Sequence, residues 1–425
     1  MKKKTACEWR SGSPRGIAVN PKFFTERGGL GIELATASSV GYYDREYALP
    51  GKPGEGCRFT GSAKSDYGAM YNDAMLIVSW IGADGKIVQR DYVAYRDGRT
   101  GRTFDQTFAI PDDAAKLELR CIAKWRAGRT VFRGIEVEAA PAPAKRIVRI
   151  VTIPLHMAWH PDRVNTPQEN HEHFEEVLRS TLEKIEHPDL VVLPEANTNI
   201  NTGRAYPERA EPIPGGPTWK IVSRNAKKFH VNIVAGAIQR DEAGDMHNVA
   251  FIADRQGKLA GIYRKVHLTV GESDQGIIPG TEFPVFELDF GRVGIMICWD
   301  NWFPETARML RMNGAELLVF PIAGDGQYQH WEHVWPTRAM DNAIPLVTSL
   351  RGGGPAPSCI IDRDGHILAA SHQHDVPAVA DVDLARAMEV FWLSVGPCLG
   401  NPYQLYEFER RREVYPDGEK NYRDR

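Results

Sequence analysis

The chain has 425 residues, of which 42% are hydrophobic, and carries a formal net charge of −3 at pH 7. A chain of this length is too long for one ordinary hydrophobic core, so we expect two domains. The small negative charge gives no electrostatic reason to expect nucleic acid or an anionic membrane as a partner, and no apolar run approaches the roughly 20 residues of a membrane span.

The beginning of the chain and its cysteines bear on the cellular compartment. The first residues, MKKKTACEWRSGSPR, are basic but no apolar stretch follows them, so they do not form an intact secretory signal. The cysteines, at positions 7, 57, 121, 298, 359 and 398, show no CxxC spacing, which argues against a zinc knuckle and a dense disulfide framework. We expect reduced thiols in a cytoplasmic protein, and an exported form whose leader has been removed is the open alternative.

Residues 1–140 have the pattern of an all-β domain. In MLIVSWIGADGKIVQRDY (75–92) an apolar run and a return strand flank a turn, and KLELRC (116–121) and GIEVEA (134–139) alternate with a period of two. No long segment of helical periodicity occurs before residue 140. This pattern predicts an antiparallel β-sandwich.

An Ala-Pro segment, AAPAPAK at 139–145, is typical of a semi-rigid spacer and separates the two halves. After it, strands alternate with helices, of which the clearest is the amphipathic segment 167–186. Hairpins turn at 255–257 and at 364–365. The alternation predicts a layered α/β domain over residues 146–425.

Three polar side chains of the second half lie where apolar strands stop. Glu195 ends DLVVLPE, Lys265 ends LAGIYRK, and Cys298 ends GIMIC just before a Pro-Glu helix start. Each residue alone is weak evidence, because charged residues after strands are usually solvated and a buried cysteine often only packs. Together they supply the nucleophile, the carboxylate base and the oxyanion-stabilising cation that thiol acyl transfer requires.

Residues 146–415 resemble the carbon–nitrogen hydrolases of the nitrilase superfamily. LPE (193–195), YRKVHL (263–268) and GIMICWDNWFPETAR (294–308) are similar to the family's glutamate, lysine and cysteine blocks, in the family's order. ESDQGIIPG (272–280) resembles the segment that carries its second glutamate. The resemblance implies an αββα sandwich, so we expect an α/β fold preceded by the all-β domain.

The resemblance also implies a role for each residue. Cys298 would be the nucleophile and Glu195 the general base and acid. Lys265 and the backbone N–H of Trp299 would form the oxyanion hole, and Glu272 would order the substrate and the lysine. The intermediate would be a thioester, and neither a metal nor an organic cofactor is needed.

The run CWDNWFPE (298–305) bears on the substrate. Carbamoylputrescine amidases carry a similar run, whereas nitrilases usually have Cys-Trp-Glu, so Asp300 favours an amide or N-carbamoyl compound over a nitrile. We assign Trp299 and Asp300 to oxyanion and substrate binding. The expected activity is hydrolysis of a non-peptide C–N bond in a small molecule of that class.

Other functions stay open. A nitrilase or an N-acyltransferase would use the same Glu-Lys-Cys site, and a carbohydrate-binding protein with a vestigial hydrolase half is a further alternative. The intact Glu195, Lys265 and Cys298 argue against the last. The family's habit of pairing through helical faces implies a homodimer or larger homo-oligomer, with Met309, Leu310 and Met312 as candidate interface residues.

Two further patterns concern other ligands. YYDREYALPGKPGEGCRFTG (42–61) resembles, in pattern only, the galactose-binding-like jelly rolls found beside many carbohydrate enzymes, which implies either a carbohydrate partner or a scaffold for the neighbouring site. The histidine pairs HEH (171–173) and HQH (372–374) have i, i+2 spacing, which on a helix points the rings apart. We expect solvated histidines there and no metal site.

Overall fold

The structure is a computed structural model. It describes residues 8–14, 21–67, 73–98, 101–157, 160, 162–196, 198, 200–323, 330–351, 355–392 and 396–411. The basic opening of the chain, with Cys7, lies outside these residues, and the other five cysteines are free thiols. Over the described residues, every helix is too short or too polar to cross a membrane.

The chain divides into two compact units. The first comprises Met1–Ala144 and Ala387–Asn421, and the second is built on Lys145–Arg386. The division at residues 144 and 145 falls in the Ala-Pro segment that the sequence marks as a spacer. At the other end the structure differs from the prediction, which assigns everything from 146 to 425 to one domain, because the described part of residues 387–411 belongs to the first unit.

The N-terminal part of the first unit consists of two antiparallel sheets around one core. Trp80 and Leu117 from one sheet pack in this core with Phe59 and Phe132 from the other. The strands are β1 (Arg10–Gly12), β2 (Lys22–Glu26), β3 (Gly29–Leu34), β4 (Val40–Ala48), β5 (Gly56–Ser65), β6 (Ala74–Ile81), β7 (Ile87–Tyr92), β8 (Tyr95–Asp97), β9 (Arg102–Ala109), β10 (Lys116–Lys124) and β11 (Gly128–Ala140). The strand orders in the two sheets are β1-β4-β10-β6-β7 and β2-β3-β11-β5-β9-β8.

The second unit alternates strands and helices, so the α/β class predicted for this half is confirmed. Its strands are β12 (Ile147–Thr152), β13 (Leu190–Val192), β14 (Asn232–Arg240), β15 (Met246–Ala253), β16 (Leu259–Arg264), β17 (Val285–Leu288), β18 (Gly291–Ile295), β19 (Leu317–Ile322), β20 (Leu346–Leu350), β21 (Ser358–Ile361), β22 (Ile367–Ser371) and β23 (Ala378–Asp383). Its helices are α1 (Pro167–Leu182), α2 (Tyr206–Arg209), α3 (Pro217–Phe229), α4 (Val270–Asp274), α5 (Pro304–Met312) and α6 (Trp331–Met340), with a 3-10 helix over Cys298–Trp302.

These strands form two six-stranded sheets packed face to face. Their orders are β16-β15-β14-β13-β12-β23 and β17-β18-β19-β20-β21-β22, and Val192 and Val234 of the first sheet share a core with Ile295 and Val319 of the second. Helices α1 and α3 pack on the outer face of the first sheet. On the second sheet, Trp335 of α6 packs edge-on against a strand phenylalanine. The helices therefore flank a pair of sheets.

Helix α1 shows how local sequence sets these elements. Thr166 caps its first turn by accepting the N–H of Glu169, and the Glu169 carboxylate accepts the N–H of Thr166 in return. Phe174 and Leu178, one turn apart, are fully buried against the sheet. The capping signal and the apolar stripe together place this helix along β12 and β13.

The C-terminal segment adds to a sheet of the first unit. Strands β24 (Val390–Trp392) and β25 (Cys398–Gly400) extend the sheet beyond β7, with Leu399 opposite Gln89 in a parallel pairing. Helix α7 (Pro402–Phe408) follows. Phe408 stacks on Tyr92, and the carboxylate of Glu409 accepts from Lys124 Nζ at 3.0 Å. The first unit is thus built from both ends of the chain.

Candidate active site

Five strand ends supply residues to one cluster in the second unit. Glu195 follows β13, Lys265 follows β16, Cys298 follows β18, Ala323 follows β19 and Arg351 follows β20. Strands β12, β13 and β14 are parallel, as are β18, β19 and β20, and polar groups gather at the carboxyl ends of such strands. The structure therefore brings together the three residues that the sequence singles out.

The charged centre of the cluster is one lysine between two glutamates. Lys265 Nζ lies 3.0 Å from Glu195 Oε1 and 3.0 Å from each carboxylate oxygen of Glu272. All three side chains are buried. Burying charges is costly unless they are paired and hydrogen-bonded, so this arrangement holds only because each charge has partners.

The carboxylate of Glu272 is fully occupied by hydrogen bonds. Its Oε2 accepts from the N–H and hydroxyl of Thr269 at 2.8 and 2.9 Å, because Glu272 closes a capping box at the start of α4. It also accepts from Lys265 Nζ, and its Oε1 accepts from Asn248 Nδ2 at 2.5 Å. A carboxylate offers about four lone-pair sites, so the hydrogen bonds from Thr269, Lys265 and Asn248 fix the position of Glu272.

Glu195 has more capacity. Its Oε1 accepts from Lys265 Nζ at 3.0 Å and from Asn248 Nδ2 at 2.7 Å. Its Oε2 accepts from the backbone N–H of Ala323 at 2.6 Å. Of the two glutamates, Glu195 is the one whose charge raises the pKa of the Cys298 thiol.

The Cys298 thiol is presented by a sharp turn. Strand β18 ends at Ile295, earlier than the GIMIC pattern predicts, and Cys298 begins the 3-10 helix with φ of +45°. Such a left-handed conformation is uncommon for a residue with a side chain and is concentrated at functional sites. The cysteine residue is partly exposed, unlike the three buried charged side chains, so it lies at the margin of the cluster.

Asp300 and Trp299, paired in the prediction, occupy different places. The Asp300 carboxylate is fully buried and accepts from the backbone N–H of Ile297, the hydroxyl of Tyr263 and the N–H of His267, at 2.9, 2.7 and 2.9 Å. It thereby ties the cysteine turn to the lysine segment. The Trp299 side chain is 39% exposed, so of the two residues only Trp299 faces solvent.

The pKa shifts of Cys298 and Glu195 indicate that the proton is on the Cys298 sulfur when no substrate is bound. Burial, followed by the neighbouring Glu195 carboxylate, raises the pKa of the Cys298 thiol far above its usual range. Burial alone would raise the pKa of Glu195, but the charges of Lys265 and Arg351 and the hydrogen bond from Asn248 outweigh it, and that pKa is lowered. The resting site therefore holds a neutral thiol beside an ionised glutamate.

Lys265 remains charged in this setting. Burial lowers its pKa, but Glu195, Cys298 and Glu272 together raise it above the ordinary lysine value. Arg351 is a second cation beside Glu195, and the charges of Lys265 and Arg351 both lower the pKa of that carboxylate.

Besides Ala323, which contributes only its backbone N–H, two members of the cluster were not among the sequence-predicted residues. Asn248, near the start of β15, donates to both carboxylates. Arg351 donates from Nε to the backbone oxygen of Glu195 at 3.1 Å and from Nη2 to that of Ala196 at 3.4 Å. Arg351 follows the apolar run PLVTSL, so the strand-end signal that marks Glu195 marks it as well.

A glycine lets the Glu195 segment lie close to its neighbouring strand. A Cβ at Gly236, in β14, would lie 2.5 Å from Ala196 N and 2.6 Å from Glu195 Cα. Real Cβ atoms do not approach backbone that closely, so any larger residue at position 236 would displace Glu195. Gly236 therefore helps set the position of Glu195.

The histidines of HQH, His372 and His374, are exposed, as the sequence predicts, whereas His171 and His173 are half-buried. His173 Nε2 lies 3.0 Å from Asp375 Oδ2, and His374 packs against His156 with ring centroids 4.0 Å apart. Among the described residues, the cluster with metal-ligand spacing is Asp362, Asp364 and His366, into which Arg386 donates.

Comparison with known proteins supports the family assignment. The sequence profile of the carbon-nitrogen hydrolase family matches residues 148–390. A probable nitrilase from Schizosaccharomyces pombe is 39% identical over 169 residues, 39% of this chain and 62% of that protein. Human omega-amidase NIT2 is 30% identical over 219 residues, 47% of this chain and 79% of that protein. An N-carbamoylputrescine amidase from Solanum lycopersicum is 38% identical over 158 residues, 34% and 52% of the two chains.

Solved structures give the same answer for the fold. The carbon-nitrogen hydrolase of Helicobacter pylori G27 superposes with a TM-score of 0.52 at 24% identity, covering 64% of this chain and 98% of that one. The matched profile covers more than half of the chain and its relatives include amidases, as the sequence motifs predict. This chain belongs to the carbon–nitrogen hydrolase family.

Proposed function

We propose that the second unit is a cysteine-dependent amidase that cleaves the C–N bond of a small amide or N-carbamoyl compound through a thioester on Cys298. The observation that carries the proposal is the cluster at the strand ends, where Lys265 Nζ lies 3.0 Å from the buried Glu195 carboxylate and where Glu195 and Lys265 both act on the pKa of the Cys298 thiol. Nucleophile, base and cation lie within one cluster, which is the arrangement that acyl transfer requires.

In the first step the Cys298 sulfur attacks the carbonyl carbon while Glu195 takes the thiol proton. A tetrahedral oxyanion forms, and its collapse breaks the C–N bond as Glu195 returns the proton to the leaving nitrogen. The products of this half-reaction are an S-acyl enzyme and a free amine or ammonia. In the second half Glu195 takes a proton from water, hydroxide adds to the thioester, and the thiol regains its proton as the acid leaves.

The oxyanion needs donors, and two are available. Lys265 carries a full positive charge next to the thiol, and a fixed charge in a buried site stabilises developing negative charge strongly. The first N–H groups of a helix lack intrahelical acceptors. In the turn after the cysteine, the Asp300 N–H is bonded to Ile297 O at 3.0 Å, which leaves the preceding N–H, that of Trp299, as the second donor.

The similar proteins favour an amide substrate, although one of them is a probable nitrilase. An omega-amidase and an N-carbamoylputrescine amidase are among them, as is a probable nitrilase. Asp300 after Cys-Trp supports the amide and N-carbamoyl class. A nitrile substrate would give a thioimidate on Cys298, and an acyltransferase would pass the acyl group to an amine.

The test is a mass-spectrometric screen of Cys298 acylation by amides, N-carbamoyl compounds and nitriles, with Cys298→Ala as the control. We expect an acyl adduct on Cys298 and release of free acid from one or more amides or N-carbamoyl compounds. Adding an amine acceptor should leave acid release unchanged; a fall in acid with matching new amide would indicate a transferase. Absence of any adduct across the library would refute the proposal.

A cleft in the first unit supports a second candidate function, carbohydrate binding. The cleft has a volume of about 690 Å³, and Thr60, Ser62, Thr103 and Gln106 contribute to its lining. Hydroxyl and amide groups both donate and accept hydrogen bonds, which suits a neutral polyhydroxylated ligand. Titration calorimetry with an oligosaccharide panel tests this idea, with Gln106→Ala as the variant, and no heat at millimolar sugar would favour a scaffold instead.

A further inference from the structure

We propose that Asn248 is a positioning residue that holds Glu195, Glu272 and Lys265 in their working arrangement and keeps the two carboxylates from sharing a proton. The inference deepens the proposed function and rests on it, because it concerns the same site. Asn248 lies near the start of β15 and is 1% exposed. Strand β15 runs antiparallel to β14 and β16, so its first residues lie at the edge where those strands end.

Three hydrogen bonds connect Asn248 to all three charged residues. Its Nδ2 donates to Glu195 Oε1 at 2.7 Å and to Glu272 Oε1 at 2.5 Å. Its backbone oxygen accepts from the N–H of Lys265 at 2.8 Å. A side-chain substitution at this position therefore removes the hydrogen bonds to Glu195 and Glu272 and keeps the backbone bond to Lys265.

The chemistry of the primary amide suits this place. Its planar NH2 presents two protons in a fixed fork, one for each carboxylate, and it carries no charge of its own. Two carboxylates that contact a common cation also lie close to one another, and such pairs tend to hold one proton between them. A proton held on Glu195 would remove the acceptor that the thiol needs. The N–H that Asn248 donates to Glu195 favours the ionised form of that carboxylate.

The orientation of the amide follows from the same contacts. Rotating the group by half a turn would place its oxygen 2.5 to 2.7 Å from two carboxylate oxygens, which repel it. In the orientation that the structure has, Oδ1 lacks a hydrogen-bond partner among the described residues. The donor side of the amide is thus the side that the site uses.

The experiment measures the rate of Cys298 alkylation as a function of pH in Asn248→Ala and Asn248→Asp. The result compared is the acid-side midpoint, the pH at which that rate falls to half of its plateau as the pH is lowered. The rate of alkylation by iodoacetamide, read from the intact mass, reports the ionised fraction of Glu195 and needs no knowledge of the substrate. Loss of a donor to a charged group should raise the acid-side midpoint by about one pH unit, and a third carboxylate should raise it further. With an amide that acylates the wild type, kcat should fall about 10²-fold and KM should change little.

Asn232→Ala is the matched control. Asn232 is also 1% exposed in the same sheet, but its Nδ2 donates to Asp189 O and Asp289 Oδ1, at 3.1 and 2.9 Å. It should show the general cost of losing a buried asparagine and leave the midpoint at the wild-type pH. If Asn248→Ala fails to fold, Asn248→Ser, which keeps one donor, should give an intermediate midpoint.

Two results overturn the inference: a wild-type midpoint in the foldable Asn248 variants, or an equal shift in Asn232→Ala. The proposed function fails separately. If no amide acylates wild-type Cys298, the alkylation profile still decides the role of Asn248. If amides acylate Cys298 in the wild type and in Asn248→Ala at the same rate and with the same pH dependence, the amidase assignment stands and the positioning role is wrong.

Discussion

Replacing Glu195 by glutamine separates its role from that of Glu272. The glutamine oxygen can still accept from Lys265 and Asn248, but its NH2 would then face the Ala323 N–H, which donates to Glu195 Oε2 at 2.6 Å in the wild type. One hydrogen bond is lost and two donors oppose each other, a cost of about 1–3 kcal/mol in stability. Loss of the base should lower kcat by about 10³-fold, within the range of general acid–base catalysis.

The assay for this variant is rapid quenching followed by intact mass measurement. Because Glu195 also activates the water that cleaves the thioester, we expect Glu195→Gln to accumulate S-acyl enzyme, formed slowly and hydrolysed more slowly still. Glu272→Gln should lose rate with little trapped adduct, because the saturated Glu272 carboxylate orders Lys265 and exchanges no proton. Glu211→Gln is the control, since Glu211 is a buried carboxylate of the same unit that accepts from the N–H of Thr218. Near-normal turnover in Glu195→Gln with adduct in Glu272→Gln would reverse the two roles.

Four further outcomes are expected. Cys298→Ala should lose at least about 10³-fold in turnover with an unchanged melting temperature, and activity within tenfold of wild type contradicts a nucleophilic role. The pKa of Glu195 is lowered in the folded protein, so its contribution to stability is present above about pH 4.5 and is lost as the pH falls through the folded value. Turnover should therefore hold from neutrality down to that region. A turnover profile whose acid-side midpoint lies near pH 7 would argue against Glu195 as the base. Phe408→Ala should destabilise the first unit by about 3 kcal/mol in denaturant unfolding, because Phe408 is buried against Tyr92, while an unchanged midpoint would show that the C-terminal return adds nothing. Light scattering at micromolar concentration should give a homo-oligomer, and a monomer would contradict that proposal.

The strand-end residues could be predicted because local sequence determines them. An apolar run of four to eight residues marks a buried strand, and the polar residue that ends it marks the sheet edge. Glu195, Lys265 and Cys298 all satisfy this rule, and their chemistry suits complementary roles. Arg351 satisfies it too, but thiol chemistry does not demand a second cation. Only the structure shows that Arg351 lies beside Glu195 and acts on its charge.

Other features depend on contacts that no local pattern encodes. Asn248 stands third in MHNVAFIA, where a polar residue at the beginning of a strand ordinarily marks a loop boundary. Its place follows from the antiparallel direction of β15, which is a property of the sheet. Leu310 illustrates the same limit. The sequence offers it as an interface residue with Met309, but it is fully buried in the core of its own unit, because a stripe of apolar residues does not say which layer covers it.

The return of the C-terminal segment was missed for a related reason. Strands β24 and β25 have three residues each, too few for a period of two to be recognised. Leu399 pairs with Gln89 across more than three hundred residues. Nothing in the segment itself distinguishes such a strand from a loop, so the boundary after Arg386 could come only from the tertiary contacts.

The proton inventory of the site explains why a reactive cysteine is combined with so much buried charge. A thiolate at rest would react with any oxidant or electrophile that reached it. Here burial and the Glu195 carboxylate raise the pKa of the thiol, while Lys265 and Arg351 lower that of the carboxylate. In the proposed mechanism the proton stays on sulfur until a carbonyl carbon lies close enough for the S–C bond to form as Glu195 accepts it. Lys265 would then face the oxyanion in addition to its two carboxylates, so that the charge that lowers the pKa of Glu195 would also stabilise the next state. Reactivity in this mechanism depends on a bound electrophile.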